Sequence, residues 1–555
     1  MPNYRSKQWL EGPYDEKTKA AIRALSPEEL EDAFSKDLSF GTAGMRGIVG
    51  VGSNRLNVYT IRAATQGLCN YINRQPDHPK RVVIGYDCRT SSPEFAEETA
   101  KVLIGNGIEA LVCPKLMPSP FISFTCRYKK CVAGIMITAS HNPSEYNGYK
   151  VYWQDGAQVT PPHDLGIISE VHAIKDPTHV RIGSTDDPHY QIIDQDVIDA
   201  YLKAIYPLQN LSHQNQEQGS KLNIIYTPLH GAGISLVPEA LTCWGFTSLD
   251  FVESQKKPDG NFPTTPSPNP ENPQALSLGM EQLKQTQADI LIANDPDADR
   301  IGAVILHQNT PRFLTGNELA TLICHHLLTT KAGHLPDNGA IIHSIVTTEI
   351  LNKIAKTYGI ATFEVLTGFK YIGELIKKWE KSHEHTFILG AEESHGYLFG
   401  TYARDKDGIA TACLLAEMAL DAKLQGQTLL DRLEAIYAKY GFHTSKLINI
   451  QLKDASCLKT IDFLRSEPPK TIAGLSLLEI EDYQSSKKRH LPTGKLTTLS
   501  LPVSNVLVLR LEKGIKLIIR PSGTEPKLKI YGAAHGDNCQ ALLDTVLNEA
   551  KDWFI

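Results

Sequence analysis

The sequence predicts an α/β protein made of three successive α/β blocks and a separate C-terminal α+β domain. Short β-branched runs alternate with longer helical segments along most of the chain. These runs are apolar throughout, which is typical of strands buried on both faces of a sheet. A chain of 555 residues also exceeds the roughly 250–300 residues that one core can organise, so several domains are expected.

Four apolar runs are the clearest predicted strands of the α/β blocks. They are RVVIGYD at 81–87, KLNIIYT at 221–227, ADILIAND at 288–295 and GAIIHSIV at 339–346. The segment SPEFAEETAKVLIGNG, residues 92–107, is a predicted helix between two strands, and its last glycine is a suitable C-cap residue. After about residue 445 the pattern changes. Shorter strands are predicted within 506–532, where Glu-Lys-Gly is typical of a hairpin turn, and a last helix closes the chain.

Local composition places the domain boundaries. Residues 206–221 are polar and predicted to contain little helix, so we place a boundary there. Residues 256–273 hold too many prolines for helix or sheet, and because they lie inside a block we expect an ordered loop. The predicted domains, each carrying one chemically distinctive loop, are residues 1–210, 211–325, 326–445 and 446–555.

The composition is that of an ordinary soluble globular protein, with 41% hydrophobic and 21% charged residues. The formal net charge of -6 gives no electrostatic reason to expect nucleic acid or an anionic membrane as a partner. No stretch approaches the ~20 apolar residues of a membrane span, and the first residues are too polar for a signal peptide. Ten cysteines lie scattered without C-x-x-C spacing, which disfavours zinc and thioredoxin-like sites. We therefore expect a cytoplasmic protein.

The segment ITASHNPSEYNGYK, residues 137–150, leaves a predicted strand by an unusual turn. An apolar run leads to Ser140, and a rigid polar turn follows. Either the turn only needs small polar residues, or it holds out the Ser140 hydroxyl to receive a chemical group. Neighbouring side chains on an extended chain point in opposite directions, so we expect His141 to order the turn or contact a phosphate, not to act as the base for Ser140. Lys150 is placed to fold back towards the hydroxyl.

Three aspartates spaced two residues apart, Asp295, Asp297 and Asp299, follow a predicted buried strand in ANDPDADRIG. On an extended segment they share one side and converge on a hard cation; without a cation they would repel one another and raise one another's pKa. A calcium EF-hand is excluded, because Arg300 stands where that loop needs glycine and Leu306 where it needs glutamate. A solvated acidic turn and a metal site both remain open. Arg300, directly behind the triplet, favours a site for metal and phosphate.

The stretch RPSGTEPK follows a predicted strand and offers a compact set of hydrogen-bond donors. Arg520 carries a planar guanidinium, and Ser522, Gly523 and Thr524 supply hydroxyl and backbone N–H donors from a tight turn. This set suits a phosphate group. An ordinary Pro-Ser-Gly turn explains the same residues.

Three further loops carry weaker signals. The stretch GAEESHGYLF places Glu392 and Ser394 after an apolar run, where they suit sugar hydroxyls or merely cap the next element. The glycine-flanked loops FGTAGMRG and TGFKYIG carry Arg46 and Lys370. These two are either solvated turn residues or cations directed at an anionic ligand.

Four of these motifs, TASHNP, DPDADR, EESHG and RPSGTEPK, occur in an order and at separations that resemble the α-D-phosphohexomutase superfamily, the phosphoglucomutases and phosphomannomutases. The chain looks most similar to the longer bacterial-type phosphoglucomutases, in the phosphoglucomutase/phosphopentomutase branch. The resemblance extends from FGTAGMRG to KLKIYG. It implies four domains around a central cleft, three similar α/β domains and a C-terminal α+β domain like the TATA-binding protein.

The resemblance also implies residue roles. Ser140 would be the phosphorylated serine, and the three aspartates would bind Mg²⁺ together with a phosphoserine oxygen. Arg300 would help neutralise that phosphate, and Lys150 is a candidate general acid or base. The remaining implied contacts with sugar or phosphate are Arg46, His141, Thr367, Lys370, Glu392, Ser394, Lys406, Arg520, Ser522, Gly523 and Thr524. Some bacterial phosphomannomutases have Gly-His after the sugar-loop serine, whereas this chain has the reverse, so His395 receives no catalytic role.

The implied reaction is the interconversion of glucose 1-phosphate and glucose 6-phosphate by a phosphoserine enzyme, with glucose 1,6-bisphosphate as intermediate and activator. Its partners would be small sugar phosphates, and the protein would be a monomer or a homodimer. A phosphomannomutase or a phosphopentomutase remains open within the superfamily. Outside it, we weigh a non-catalytic sugar-phosphate-binding protein and a phosphatase of haloacid-dehalogenase type, in which an aspartate would carry the phosphate.

Overall fold

A computed structural model describes residues 4–41, 44–75, 79–174, 176, 178–451, 456–521 and 527–554, with the side chains of 456–458 and 527 excluded. These residues form two compact units. The first is Met1–Gly316, Phe369–Gly390 and Ser394–Leu429, and the second is Asn317–Gly368, Ala391–Glu393 and Leu430–Ile555. No helix in the described ranges has the length and apolar character needed to cross a bilayer.

Three short helices open the chain, and an aromatic cluster joins them to the first α/β block. They are α1 Tyr4–Glu11, α2 Glu16–Arg23 and α3 Pro27–Phe34. Trp9 stacks on Tyr14 with ring centroids 4.2 Å apart, and Phe34 packs edge-on against Trp9. Ser26 and Glu29 form a capping box that starts α3.

The first α/β block is a six-stranded sheet flanked by helices. Its strands are β1 Gly44–Ile48, β2 Arg81–Tyr86, β3 Glu109–Val112, β4 Ala133–Ile137, β5 Tyr146–Trp153 and β6 Tyr190–Ile192, in the order β1-β5-β4-β2-β3-β6. Its helices are α4 Val58–Asn73, α5 Ser92–Gly105, α6 Ser119–Tyr128, α7 His163–Ala173 and α8 Gln195–Ile205. Strands β2 and β4 are parallel, whereas β5 returns antiparallel to β4. The turn 138–145 therefore lies at the carboxyl end of β4.

The second block is a five-stranded sheet of order β11-β10-β9-β7-β8. Its elements are α9 Ser212–Gln218, β7 Ile224–Thr227, α10 Val237–Cys243, β8 Leu249–Phe251, α11 Glu253–Lys256, α12 Ser277–Thr286, β9 Ile290–Asn294, β10 Ile301–His307 and β11 Thr310–Leu314. Every residue of β9 is buried, as its largely apolar sequence predicts. Strands β9 and β10 pair antiparallel, so the aspartate-rich stretch is the loop of a hairpin.

The third block alternates helices and strands. It contains α13 Gly316–Thr330, β12 Gly339–Ser344, α14 Ile350–Thr357, β13 Ala361–Val365, α15 Phe369–Ser382, β14 Thr386–Glu392, β15 Gly396–Leu398, α16 Gly408–Leu424 and α17 Leu429–Tyr440. Strands β12 and β13 are parallel neighbours. Strand β14 begins in the first unit and ends in the second, because the first unit includes Phe369–Gly390 and the second includes Ala391–Glu393.

The C-terminal block is an antiparallel sheet with two helices. It contains β16 His443–Gln451, α18 Ser456–Ser466, β17 Thr471–Ile472, β18 Leu475–Asp482, β19 Lys487–His490, β20 Lys495–Thr498, β21 Leu507–Leu511, β22 Ile515–Pro521, β23 Lys527–His535 and α19 Cys539–Asp552. Its main strand order is β16-β23-β22-β21-β18-β19-β20. Alternate residues of β21 and β22 and one face of α19 form its core. The predicted Glu-Lys-Gly hairpin between β21 and β22 is confirmed.

The four strands predicted from apolar runs are confirmed as β2, β7, β9 and β12, and the helix predicted at 92–107 is α5. The prediction of little helix at 206–221 is wrong, because 3₁₀ turns and α9 fill most of it. Buried Glu417 of α16 accepts hydrogen bonds from the backbone N–H groups of Asn210 and Leu211 and from the Asn215 amide. This tertiary contact supports a helix that the polar local sequence does not indicate.

The proline-rich segment is the ordered loop that we predicted. Residues 257–272, all of them described, form turns without helix or strand. Phe262 within this segment is buried at 2% exposure. We refer to residues 257–272 as the proline-rich loop.

Candidate active site

The Ser140 side chain lies in a buried turn directly after β4. Its backbone has a φ of 51°, in the left-handed region that non-glycine residues rarely occupy. The N–H of Ser140 donates to Thr138 Oγ1 at 2.8 Å, and Ser140 Oγ donates to Asp295 Oδ2 at 2.6 Å. The turn in the first block thus directs the serine hydroxyl at the aspartates of the second.

The expected orientation of His141 is wrong. Its Nδ1 lies 3.2 Å from Ser140 Oγ, although the side chains of neighbours on an extended chain diverge. The difference follows from the left-handed backbone at Ser140, which brings the two side chains to one side. His141 therefore touches the serine hydroxyl.

The three aspartates do converge, although not on an extended segment. Their carboxylate oxygens lie within 4.8 Å of one another, and all three side chains are buried. The segment between β9 and β10 is a tight turn in which Ala298 has a φ of 50° and its N–H donates to the Asp295 carbonyl at 2.9 Å. The turn replaces the extended geometry that the spacing predicted, and it still collects the carboxylates.

Two lysines neutralise part of this negative charge. Lys150 Nζ donates to Asp297 Oδ2 at 2.6 Å and to Asp299 Oδ2 at 3.1 Å, and Lys406 Nζ lies 3.2 Å from Asp299 Oδ2. Burial opposes the charge on Lys150, but Asp297 and Asp299 outweigh it and raise the pKa of Lys150. Burial likewise opposes ionisation of Asp299, but Lys150, Lys406 and Arg300 outweigh it and lower the pKa of that carboxyl. Lys150 folds back to the aspartates and not to Ser140 itself.

The donor set fits a hard divalent cation. It consists of carboxylate oxygens and a serine hydroxyl, which are ligands suited to Mg²⁺ or Ca²⁺. Asp297 Oδ1 and Asp299 Oδ1 are buried and accept no hydrogen bond from the described residues. Buried carboxylate oxygens of this kind are costly unless they meet a donor or a cation.

Four other predicted residues belong to the first unit, and two of them contact the turn at Ser140 or the aspartates. Arg300 forms an ion pair with Glu271 of the proline-rich loop, and its backbone N–H donates to Asp295 Oδ1 at 3.0 Å. Arg46 is exposed and donates to Asn142 Oδ1 at 3.0 Å; Asn142 lies in residues 138–146, which end on the first residue of β5 and which we call the serine turn. Lys370 is half-buried, and burial lowers its pKa. Ser394 is also half-buried.

The second unit contains a separate group of predicted residues. Glu392 is buried at the end of β14, and its Oε1 accepts a hydrogen bond from the Gly368 N–H at 2.7 Å. This contact brings Glu392 next to Thr367, whose buried Oγ1 has no hydrogen-bond partner in the described chain. Arg520 is half-buried on β22. Ser522, Gly523 and Thr524 lie outside the described residues.

Two residues that hold the centre together were not predicted from the sequence. Ser119 at the start of α6 donates from Oγ to Asp297 Oδ2 at 2.7 Å and from its N–H to the Asp297 carbonyl at 2.8 Å. Arg89, which follows β2, donates four hydrogen bonds to the serine turn. A charged Asp-Cys-Arg directly after an apolar run was a usable signal for Arg89, whereas Ser119 had none.

The chain belongs to the phosphoglucomutase/phosphomannomutase family. Models of the alpha/beta/alpha domains I, II and III of that family match residues 37–178, 199–308 and 315–440. Members of the family are phosphohexomutase enzymes. The predicted superfamily is therefore confirmed, and so is the predicted fold of three α/β domains followed by a C-terminal domain of one sheet and helices.

Similar proteins include the phosphoglucomutase of Staphylococcus aureus strain USA300, which is 36% identical over 94% of this chain and 94% of its own length. The phosphoglucomutase of Staphylococcus haemolyticus strain JCSC1435 is 34% identical over 93% of this chain and 94% of its own. In fold, the chain is similar to a phosphoglucomutase/phosphomannomutase family protein from Burkholderia thailandensis. That structure has a TM-score of 0.68 and 21% identity, covering 93% of this chain and 96% of the other.

Proposed function

We propose that this protein is a phosphoglucomutase that interconverts glucose 1-phosphate and glucose 6-phosphate through phosphorylated Ser140 and a glucose 1,6-bisphosphate intermediate. The observation that carries the proposal is the buried Ser140 hydroxyl, 2.6 Å from a carboxylate of an aspartate triad. Relatives that share about a third of its residues over nearly the whole chain are named phosphoglucomutases. Their names support glucose phosphates as the substrates.

In this proposal Asp295, Asp297 and Asp299 hold Mg²⁺ together with an oxygen of the phosphorylated Ser140. When bound, the cation supplies neutralisation of the charge on the transferring phosphoryl group. The oxygen ligands and the two unpartnered carboxylate oxygens support this assignment. The side chains of the protein align the reacting groups and stabilise their charge, which are the main requirements of phosphoryl transfer.

Ser140 carries the phosphoryl group, so its hydroxyl does not need activation at the start of each cycle. Arg300 and His141 stabilise the transferred phosphate, and both already lie around Ser140 and Asp295. Lys150, held by Asp297 and Asp299, is the candidate that gives or takes the proton of the sugar hydroxyl.

The opposite end of the sugar phosphate needs a second site, because one phosphate must be held while the other reacts. We assign that phosphate to Arg520 with Ser522, Gly523 and Thr524, and the sugar hydroxyls to Glu392 and Ser394. Arg46, Thr367, Lys370 and Lys406 make the remaining contacts. This assignment of residues assumes four domains, residues 1–210, 211–325, 326–445 and 446–555. We also propose that the enzyme is cytoplasmic.

The decisive experiment maps phosphate on the protein. Intact mass spectrometry with site mapping, after incubation with glucose 1,6-bisphosphate, is expected to find phosphate on Ser140. Ser140→Ala should remain folded, take up no phosphate and lose at least about 10³-fold in turnover, because the covalent route is removed. Ser184→Ala, at an exposed serine of the same unit, is the matched control and should behave as wild type.

Each alternative has its own signature in the same assays. Wild-type activity in Ser140→Ala would remove the serine from the mechanism, and phosphate mapped to an aspartate would indicate a phosphatase. Folded protein that takes up no phosphate would indicate a sugar-phosphate-binding protein. Comparison of kcat/KM for glucose 1-phosphate, mannose 1-phosphate and ribose 1-phosphate decides the sugar; a higher value for either of the latter two would refute the glucose assignment.

A further inference from the structure

The Arg89 guanidinium is buried, and both of its terminal nitrogens donate hydrogen bonds to backbone carbonyl oxygens of the serine turn. One terminal nitrogen, Nη2, donates to the carbonyl oxygens of Ser140 and Asn142 at 2.7 and 2.6 Å. The other, Nη1, donates to the carbonyl oxygens of Pro143 and Tyr146 at 2.8 and 2.7 Å. The four terminal N–H groups of one arginine thus hold four peptide carbonyls of the turn. Its side chain is 1% exposed.

The buried charge of Arg89 is compensated on its third nitrogen. Nε lies 3.3 Å from Oδ2 of fully buried Asp87. The other oxygen of Asp87 accepts hydrogen bonds from the Arg89 N–H at 2.9 Å and from Ser92 Oγ at 2.7 Å. A carboxylate held in this way fixes the position of the guanidinium, because breaking either group away leaves a buried unpaired charge.

The proline-rich loop also packs against Arg89. The ring of Phe262 lies 5.1 Å from the guanidinium carbon, within the range of a cation–π contact. Gly260 approaches so closely that a Cβ there would lie 2.6 Å from the Thr90 nitrogen and 2.7 Å from Arg89 Cα. Ser267 Oγ of the same loop donates to the His141 carbonyl at 3.3 Å. The loop therefore packs against both Arg89 and the serine turn.

These contacts bear on the backbone conformation of Ser140 itself. A left-handed serine is strained and persists only where its surroundings impose it. Thr138 holds the N–H of Ser140, and Arg89 holds its carbonyl, so the peptide groups on both sides of the residue are fixed. The direction of Ser140 Oγ towards Asp295 depends on that fixed backbone.

We infer that Arg89 is a positioning residue for phosphoryl transfer, which acts through the serine turn and touches neither substrate nor phosphate. The inference rests on the proposed role of Ser140. Lysine cannot replace Arg89, because a single ammonium nitrogen has three donors at one point and cannot span four carbonyls.

The test compares Arg89→Lys with Arg62→Lys, a control at an arginine of the same block that pairs with Glu98 away from the turn. We expect Arg89→Lys to lower kcat by about 10²-fold, because a displacement of about 1 Å at the reacting oxygen has that effect. KM for glucose 1-phosphate should stay within about 3-fold, because the sugar-binding residues are unchanged. Amide hydrogen exchange in 138–146 should rise at least about 10-fold while exchange in the C-terminal sheet stays constant.

Phe262→Leu serves as the second variant, and it decides the question if Arg89→Lys does not fold. It retains Arg89 and apolar bulk but removes the ring, and it should raise exchange in 138–146 and lower kcat in the same direction by a smaller factor. Unchanged exchange and kcat in the folded variants would overturn the inference, as would faster exchange with wild-type kcat. The exchange measurement concerns the turn alone, whereas failure of the proposed function would appear as absence of phosphate on Ser140 in the wild-type protein.

Discussion

The ion cluster around Glu349 should stabilise the second unit in a pH-dependent way, and Glu349→Gln tests it. Glu349 Oε1 accepts hydrogen bonds from Lys516 Nζ at 2.9 Å and from Arg510 Nη1 at 3.1 Å. Lys516 is buried at 5% exposure. Glutamine has the same size but no charge, so the substitution leaves both cations with weaker compensation.

The expected magnitude follows from the carboxyl pKa. Burial favours the neutral form of Glu349, but Lys516 and Arg510 outweigh burial and lower its pKa from 4.5 to about 2. At ~1.4 kcal/mol for each pKa unit, this lowering is equivalent to about 3 kcal/mol at neutral pH. The side chain is 31% exposed, so solvent screening reduces the value, and we expect Glu349→Gln to lose about 1–2 kcal/mol.

The pH dependence has a definite sign. A carboxyl whose pKa is lowered by folding stabilises the folded state above its unfolded pKa, and this stabilisation is lost as the pH falls towards the folded pKa. The difference between wild type and Glu349→Gln should therefore be constant above about pH 5 and fall to about half near pH 3.

Native-state hydrogen exchange of the β21 and β22 amides in the full chain measures this local opening free energy. Glu467→Gln, at an exposed glutamate of the same unit, is the control and should change stability by less than about 0.5 kcal/mol. An opening free energy in Glu349→Gln equal to wild type at pH 7 would show that the Glu349 charge does not stabilise the second unit. So would a difference that does not shrink on acidification.

The aspartate triad, Arg520 and the proline-rich loop can each be tested by one substitution. Asp297→Asn should raise the Mg²⁺ concentration for half-maximal activity at least about 10-fold and weaken Mg²⁺ binding in calorimetry, and unchanged binding would contradict the metal assignment. Arg520→Ala should raise KM for glucose 1-phosphate by about 10–100-fold with a smaller change in kcat, and titration with unchanged affinity would count against it. Gly260→Ala should destabilise the protein by about 1–3 kcal/mol in urea unfolding, because its new Cβ meets backbone atoms of Arg89 and Thr90. Gly333→Ala, where a Cβ has no atom within 4 Å, is the control for that loss.

Residue chemistry and strand positions were predictable from the sequence. Apolar runs placed β4 and β9, and the polar residues that follow them placed Ser140 and the aspartates at strand ends. These predictions hold because burial on both faces of a sheet leaves a continuous apolar signal. They do not depend on how the loop backbone bends.

The bends themselves were not predictable, because long-range contacts impose them. The left-handed backbone at Ser140 depends on hydrogen bonds from Arg89, 51 residues earlier in the chain. Helix α9 depends on Glu417 of α16, about 200 residues later. The assumption of an extended backbone therefore predicted the wrong direction for the His141 side chain. It also predicted the wrong backbone geometry for the three aspartates, although it correctly predicted that their carboxylates converge.

The two lysines at the aspartate triad have a consequence for the order of loading. Asp295, Asp297 and Asp299, when ionised, carry three negative charges, and Lys150 and Lys406 supply two positive ones, so these five side chains sum to −1. A divalent cation and a phosphate dianion add nothing to that sum when they arrive together, whereas either alone shifts it by two. Metal uptake and serine phosphorylation should therefore promote one another, and phosphorylation should be the weaker of the two on its own, because a dianion alone takes the sum to −3 whereas a divalent cation alone takes it to +1.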